Sequence, residues 1–255
     1  MLQTGICSIT FRQLTPQQIV DLVADCGLDG IEWGGDVHVP PGDPAKAAQV
    51  RQATEAAGLG VPSYGSYYRA DREEGPFGAV LTAAVALGAP VVRVWAGRRG
   101  SAEADEAYRA EVASCLREAV AAAREQGVTI ALEYHGGTLT DTRESAHRLL
   151  EEVGDRDLKL YWQPRTGGTF EEDLVELDAA LPRLSHVHAF HWLTGAEGID
   201  RRPLAEGREP WKEFLRRIAG FGGNRFVLLE FVRGDDPEQL REDGRALKEI
   251  IEKTA

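Results

Sequence analysis

Two glutamates stand where apolar runs stop. Glu133 closes VTIALE (128–133), and Glu230 falls at the end of RFVLLEF (225–231). An ionised carboxylate in apolar surroundings has to be paired or bound to a cation, because water no longer solvates it. Two such carboxylates brought together need a compensating charge. A divalent metal is the simplest, held by Glu oxygens and a neutral imidazole such as His188 of HVHAF. A metal flanked by carboxylates can polarise a carbonyl while one of them removes the neighbouring proton. The alternative for each residue alone is structural: a strand-terminal Glu in an ion pair or helix cap, and a hydrogen-bonded core His.

Other candidates fall at equivalent places. Glu32 and Trp33 end GIEW with His38 beyond, Trp95 ends VVRVW, His135 follows Glu133, Trp162 and Gln163 end LKLYWQ, and His191 follows HVHAF. Five of the six histidines and four of the five tryptophans lie at or just past such ends, which gathers polar and aromatic groups where connecting loops would build a site. Glu32, His38 and Arg93 are candidates for orienting a substrate. His135 and His191 are candidates for proton shuttling or hydroxyl recognition, with a hydrogen-bonding scaffold role as the alternative. Trp33, Trp95 and Trp162 either fill the core or lay flat faces against the C–H faces of a sugar. Arg98 and Arg99 of AGRRGS either hold a phosphate or carboxylate or form solvated surface.

Positioning these residues requires a repeated unit. QTGICSITF, GIEW, VPSY, PVVRVW, VTIALE, LKLYW, HVHAF and RFVLLEF read as eight strands, with helical segments between them. Thr15-Pro16-Gln17-Gln18 carries an N-cap, a proline at the first helical position and a capping-box Gln. Ile19, Leu22, Val23 and Cys26 then recur at helical spacing, up to Gly27. Asp43-Pro44, Asp141 with Glu144, Pro210 before Trp211, and Asp236-Pro237 with Gln239 mark further helix starts. Eight βα units at about 32 residues each match an α/β (β/α)8 TIM barrel of roughly 250 residues. No GxGxxG follows the first strand and no P-loop occurs, which disfavours a doubly wound sheet. No linker divides the chain, so residues 1–255 read as one domain. In such a barrel the carboxyl ends of the strands surround one mouth.

Composition narrows the partners. A net charge of −12 repels phosphate backbones, so no nucleic acid is expected. No apolar run approaches the roughly 20 residues that span a bilayer, and the first residues lack a signal-peptide pattern, so no membrane association and a cytoplasmic location are expected. Cys7, Cys26 and Cys115 form no CxxC pair and read as small core residues.

Taken in order, LEYHGGTLTDT, YWQP, HVHAFHW and VLLEF resemble the xylose isomerase-like superfamily of sugar isomerases and epimerases, and the resemblance runs from GICSITF to LLEF. It implies a TIM barrel and a small-molecule sugar substrate, turned over by an isomerase or epimerase through an enediolate. It also implies one divalent metal, most often Mn2+, with Mg2+, Co2+ or Zn2+ as alternatives. The metal ligands implied are Glu133, Gln163, His188 and Glu230, with Glu133 and Glu230 catalytic. The chain departs from the family at Gln163, where an Asp is usual, at Thr166, where epimerases often carry a substrate-binding His, and at His191, where an acid is usual. A dehydratase or lyase on the same enediolate, or a sugar-binding homologue without catalysis, are the alternatives. An abasic-site endonuclease on this barrel would need about three zinc ions and more ligands than the sequence offers. The expected assembly is a monomer, homodimer or homotetramer.

Overall fold

A computed structural model describes residues 1–195 and 198–254. In chain order the elements are β1 (Leu2–Cys7), α1 (Pro16–Asp25), β2 (Gly30–Gly34), α2 (Pro44–Ala56), β3 (Tyr64–Arg69), α3 (Gly78–Leu87) and β4 (Val91–Trp95). They continue with α4 (Glu106–Glu125), β5 (Thr129–Glu133), α5 (Arg143–Val153), β6 (Lys159–Trp162), α6 (Phe170–Ala180) and β7 (Leu184–Ala189). The last are β8 (His191–Gly195), β9 (Gly198–Arg202), α7 (Arg208–Phe221), β10 (Arg225–Leu229) and α8 (Pro237–Glu252). Eight strands close a barrel in the order β1-β10-β7-β6-β5-β4-β3-β2, and β8 and β9 form a separate two-stranded sheet. The fold is the expected (β/α)8 TIM barrel.

Local chemistry sets the boundaries. Thr15 accepts the Gln18 N–H while Gln18 reaches back, a complete capping box at the start of α1, and Ile19, Leu22 and Val23 are buried as their spacing requires. Three expectations shift. SITF is a 3-10 turn of four buried residues rather than strand. The third strand starts at Tyr64, three residues late, since Pro62 has no N–H to give a ladder. Thr142, not Asp141, caps α5; Asp141 instead accepts the Ser101 N–H at 2.9 Å.

Packing of the chain gathers it into two compact halves. The first comprises residues 1–32, 53–60 and 162–255, the second residues 33–52 and 61–161. In the first, β1 lies in parallel register between β2 and β10: Gly5 pairs with Gly30 on one side and Leu228 on the other. A Cβ at Gly5 would come within 2.7 Å of both the Gly30 carbonyl and the Leu228 side chain, so only glycine fits this approach. In the second, β4 pairs with β3 and β5 around a core that includes Val92, Val94, Ile130 and Leu132.

Candidate metal centre and active site

Strand register explains the cluster in the first half. Cys7 pairs with Glu32 across β1 and β2. Ile6 pairs with Leu229 across β1 and β10, so the same register carried one residue on sets Cys7 beside Glu230. His188 pairs with Leu228, which puts Glu230, two residues further, on the same face of the sheet as the imidazole. All four side chains are buried: Cys7 0%, Glu32 1%, His188 0% and Glu230 6% exposed.

The imidazole of His188 is the centre of this group. Its Nε2 lies 3.4 Å from Glu32 Oε1, and its Nδ1 lies 3.5 Å from Glu230 Oε2 and 3.1 Å from Gln163 Oε1. Burial alone would push His188 down, but Cys7, Glu230 and Glu32 outweigh it and hold its pKa well above the ordinary histidine value. Burial pushes the Cys7 thiol up, against the opposing pull of His188. Phe231 follows Glu230 with a φ of 45°, a strained conformation for an aromatic residue. Its N–H donates to Thr10 Oγ1 at 2.9 Å, which pins the turn after the glutamate.

Donor atoms of Cys7, His188 and Glu230 all lie within 4.8 Å of one another. The sequence reading missed Cys7 in this role, although it ends β1 as Glu32 and Glu133 end their strands.

In the second half Glu133 is held by protein donors. Val94 pairs with Leu132 across β4 and β5, so Arg93 and Trp95 share a face with Glu133. The Arg93 guanidinium and the Trp95 indole N–H both donate to Glu133 Oε2. The guanidinium thus supplies a compensating charge that the sequence reading assigned to a metal. Tyr67, at a strained φ of 59°, sets its ring 5.3 Å from Trp95, with the Arg93 guanidinium 5.7 Å above it. His135 lies 4.7 Å from Trp95 and has its Nδ1 2.7 Å from the Gly136 carbonyl oxygen. Glu133, Arg93, Trp95, His135 and Tyr67 form one polar and aromatic group.

Other candidates are placed elsewhere. Trp33 is buried against His38, ring centroids 5.9 Å apart. Trp162 packs on Trp211 and Phe214 of α7, at 6.3 and 5.0 Å, as helix-facing core. His191, with its pKa lowered by burial, lines a cleft of about 280 Å3 with Trp192, Trp211, Phe214 and Asp173. Arg98 is ion-paired with Asp71 at 2.7 Å and Glu74 at 3.1 Å. No described helix is long and apolar enough to cross a membrane.

Comparison with known proteins agrees with the fold. The family model described as xylose isomerase-like TIM barrel matches residues 20–250. No curated relative matches the sequence. The probable 3-DHS dehydratase AsbF of Bacillus anthracis is similar in structure with a TM-score of 0.79, 19% identity, 97% of this chain and 99% of that one covered. A xylose isomerase-like TIM barrel protein of Mycobacterium smegmatis, in complex with magnesium, is similar at a TM-score of 0.75 and 16% identity, with 99% and 98% covered. A D-psicose 3-epimerase, solved in the presence of D-fructose, gives a TM-score of 0.69 and 17% identity, with 96% and 97% covered. The chain belongs to the xylose isomerase-like TIM barrel family.

Proposed function

We propose that the chain is a divalent-metal-dependent isomerase or epimerase of a sugar or related keto-polyol, transferring a proton on a carbon beside a carbonyl. The observation that carries this reading is the buried imidazole of His188 set between Glu32 on one ring edge and Glu230 with Gln163 on the other. Buried carboxylates with an imidazole among them are costly as core packing and useful as a metal or proton-transfer site.

The residues present fit an ion. Glu230 and Gln163 bring oxygens to the Nδ1 edge of His188, and Cys7 lies within the same group of donors. When bound there, a divalent ion supplies Lewis acidity to a substrate carbonyl and steadies the charge of the enediolate. Glu32, with Oε1 3.4 Å from Nε2, faces the opposite edge of the ring. Glu230 is the acid proposed to take the proton from the carbon beside the carbonyl. Glu133, which Arg93 and Trp95 hold, is proposed as a further acid–base group, and the apolar strand cores keep bulk water from the buried acids.

The test is isotope exchange. Protein loaded with Mn2+ or Mg2+ is incubated in deuterated water with a panel of ketoses, aldoses and keto-inositols and followed by NMR. Deuterium is expected at a carbon beside the carbonyl, and Glu230→Gln is expected to abolish it. A metal-loaded protein that exchanges no carbon-bound proton in any of them overturns the reading; loss of water from the sugar in place of exchange assigns a dehydratase.

A further inference from the structure

We infer that Cys7 is a ligand of the proposed ion, as the thiolate, and that the centre therefore selects Zn2+ or Co2+ over Mn2+ and Mg2+. The inference rests on the metal site proposed above and changes its donor set and its metal.

Three observations support it. Geometry is the first: register sets Cys7 directly opposite Glu32 and next in line to Glu230, and its sulfur lies within 4.8 Å of donor atoms on His188 and Glu230. The thiol's surroundings are the second. A buried cysteine is usually a small apolar filler among apolar neighbours, but Cys7 is wholly buried against an imidazole and two carboxylates. Neither role asked of those three groups calls for a hydrophobic residue in their midst.

Charge is the third observation. At Nδ1 of His188, Gln163 brings a neutral amide oxygen and Glu230 a carboxylate. A neutral amide in the donor set leaves a divalent ion short of charge in a site closed to water. A Cys7 thiolate adds a negative charge. The imidazole ligates as a neutral group through one nitrogen, while the Glu32 carboxylate stays 3.4 Å from the other.

The step balances simply. The sulfur–hydrogen bond of Cys7 breaks, its electron pair forms the bond to the ion and its proton leaves to solvent; where His188 is protonated in the metal-free protein, the proton on its ligating nitrogen leaves as well. Nothing is oxidised or reduced. A thiolate, an imidazole and a carboxylate would suit tetrahedral Zn2+, with the Gln163 amide oxygen or a substrate oxygen to fill the fourth position. Mn2+ and Mg2+ prefer oxygen-only shells, and sulfur gives them little.

The test uses the double variant Cys26→Ser/Cys115→Ser, in which Cys7 is the only remaining thiol. Metal-free protein is titrated with Co2+ under inert gas and followed by near-ultraviolet absorption and by a pH indicator. The expected result is one Co2+ per chain, a thiolate-to-cobalt charge-transfer band, at least one proton released per ion, and Zn2+ binding at least about tenfold tighter than Mn2+. Cys7→Ser in the full chain is expected to remove the band and weaken Zn2+ by about 10–100-fold. Co2+ bound one to one without the band overturns the role of Cys7 and leaves the metal site standing; no Co2+ bound overturns both. Mn2+ binding as tightly as Zn2+ also overturns the inference. Because the band is read with Cys7 intact, the result does not depend on whether Cys7→Ser folds.

Discussion

The guanidinium of Arg93 and the carboxylate of Glu133 meet with only 2% and 4% of their side chains exposed. Removing one member of such a pair leaves the other charged and without water. Arg93→Leu is expected to destabilise the fold by about 3–5 kcal/mol, and Arg93→Leu combined with Glu133→Leu to recover most of that loss. Urea denaturation midpoints of the two variants measure it. A single variant within about 1 kcal/mol of the parent would mean the pair behaves like a surface contact.

Gln163 brings an amide oxygen to 3.1 Å from His188 Nδ1. Gln163→Asp adds the negative charge the amide lacks, so affinity for a divalent ion is expected to rise about tenfold or more. The metal-free variant should be less stable than the parent, because the new carboxylate joins Glu230 and Glu32 around one imidazole. Calorimetric titration and thermal melts with and without ion separate the two effects. An unchanged affinity would place position 163 outside the donor set.

Asp243 of α8 is buried, accepts the Leu204 N–H at 2.8 Å and the Gln239 side-chain amide at 2.9 Å, and is pushed up to about 6 by burial. A raised carboxyl pKa means the folded state resists ionisation. The penalty is absent below pH about 4, grows as pH rises, and is complete above about 6. Asp243→Asn is therefore expected to gain about 1 kcal/mol on the parent between pH 4 and pH 7, after allowance for partial solvent screening. Denaturation curves at the two pH values decide it, and a gap that does not widen with pH contradicts it.

Gly207, just before α7, has an ordinary backbone, but a Cβ there would stand 2.6 Å from His191 Nδ1. Gly207→Ala is expected to displace the His191 ring and cost about 1–3 kcal/mol through overpacking. Restoring room with His191→Ala in the same chain should return most of that stability. If the double variant is no more stable than Gly207→Ala, the contact is not the cause.

Much of the barrel was readable from strand-like runs and helix caps, because each unit carries its own start and stop: the Thr15 box and the Asp236 cap lie where the residues put them. β3 was placed early because VPSY looks like a strand until Pro62 is counted as a missing donor. The β8–β9 hairpin was not read, since HWLTG and GIDRR are largely exposed and carry no buried alternation. Glu32, His188 and Glu230 were picked out by type at strand ends. Cys7 was not, because a thiol has the same pattern as a small core residue until its neighbours are known. Arg93 was singled out, but only register shows that it and Trp95 share a face with Glu133.

Pairing of β10 with β1 also sets when the Cys7, Glu32, His188 and Glu230 cluster can exist. Cys7 and Glu230 are separated by most of these 255 residues. A nascent chain therefore carries a lone thiol and unmatched acids until the seam between its first and last barrel strands zips shut, a long-range and slow kind of closure. The proposed ion site is therefore complete only once that seam has closed.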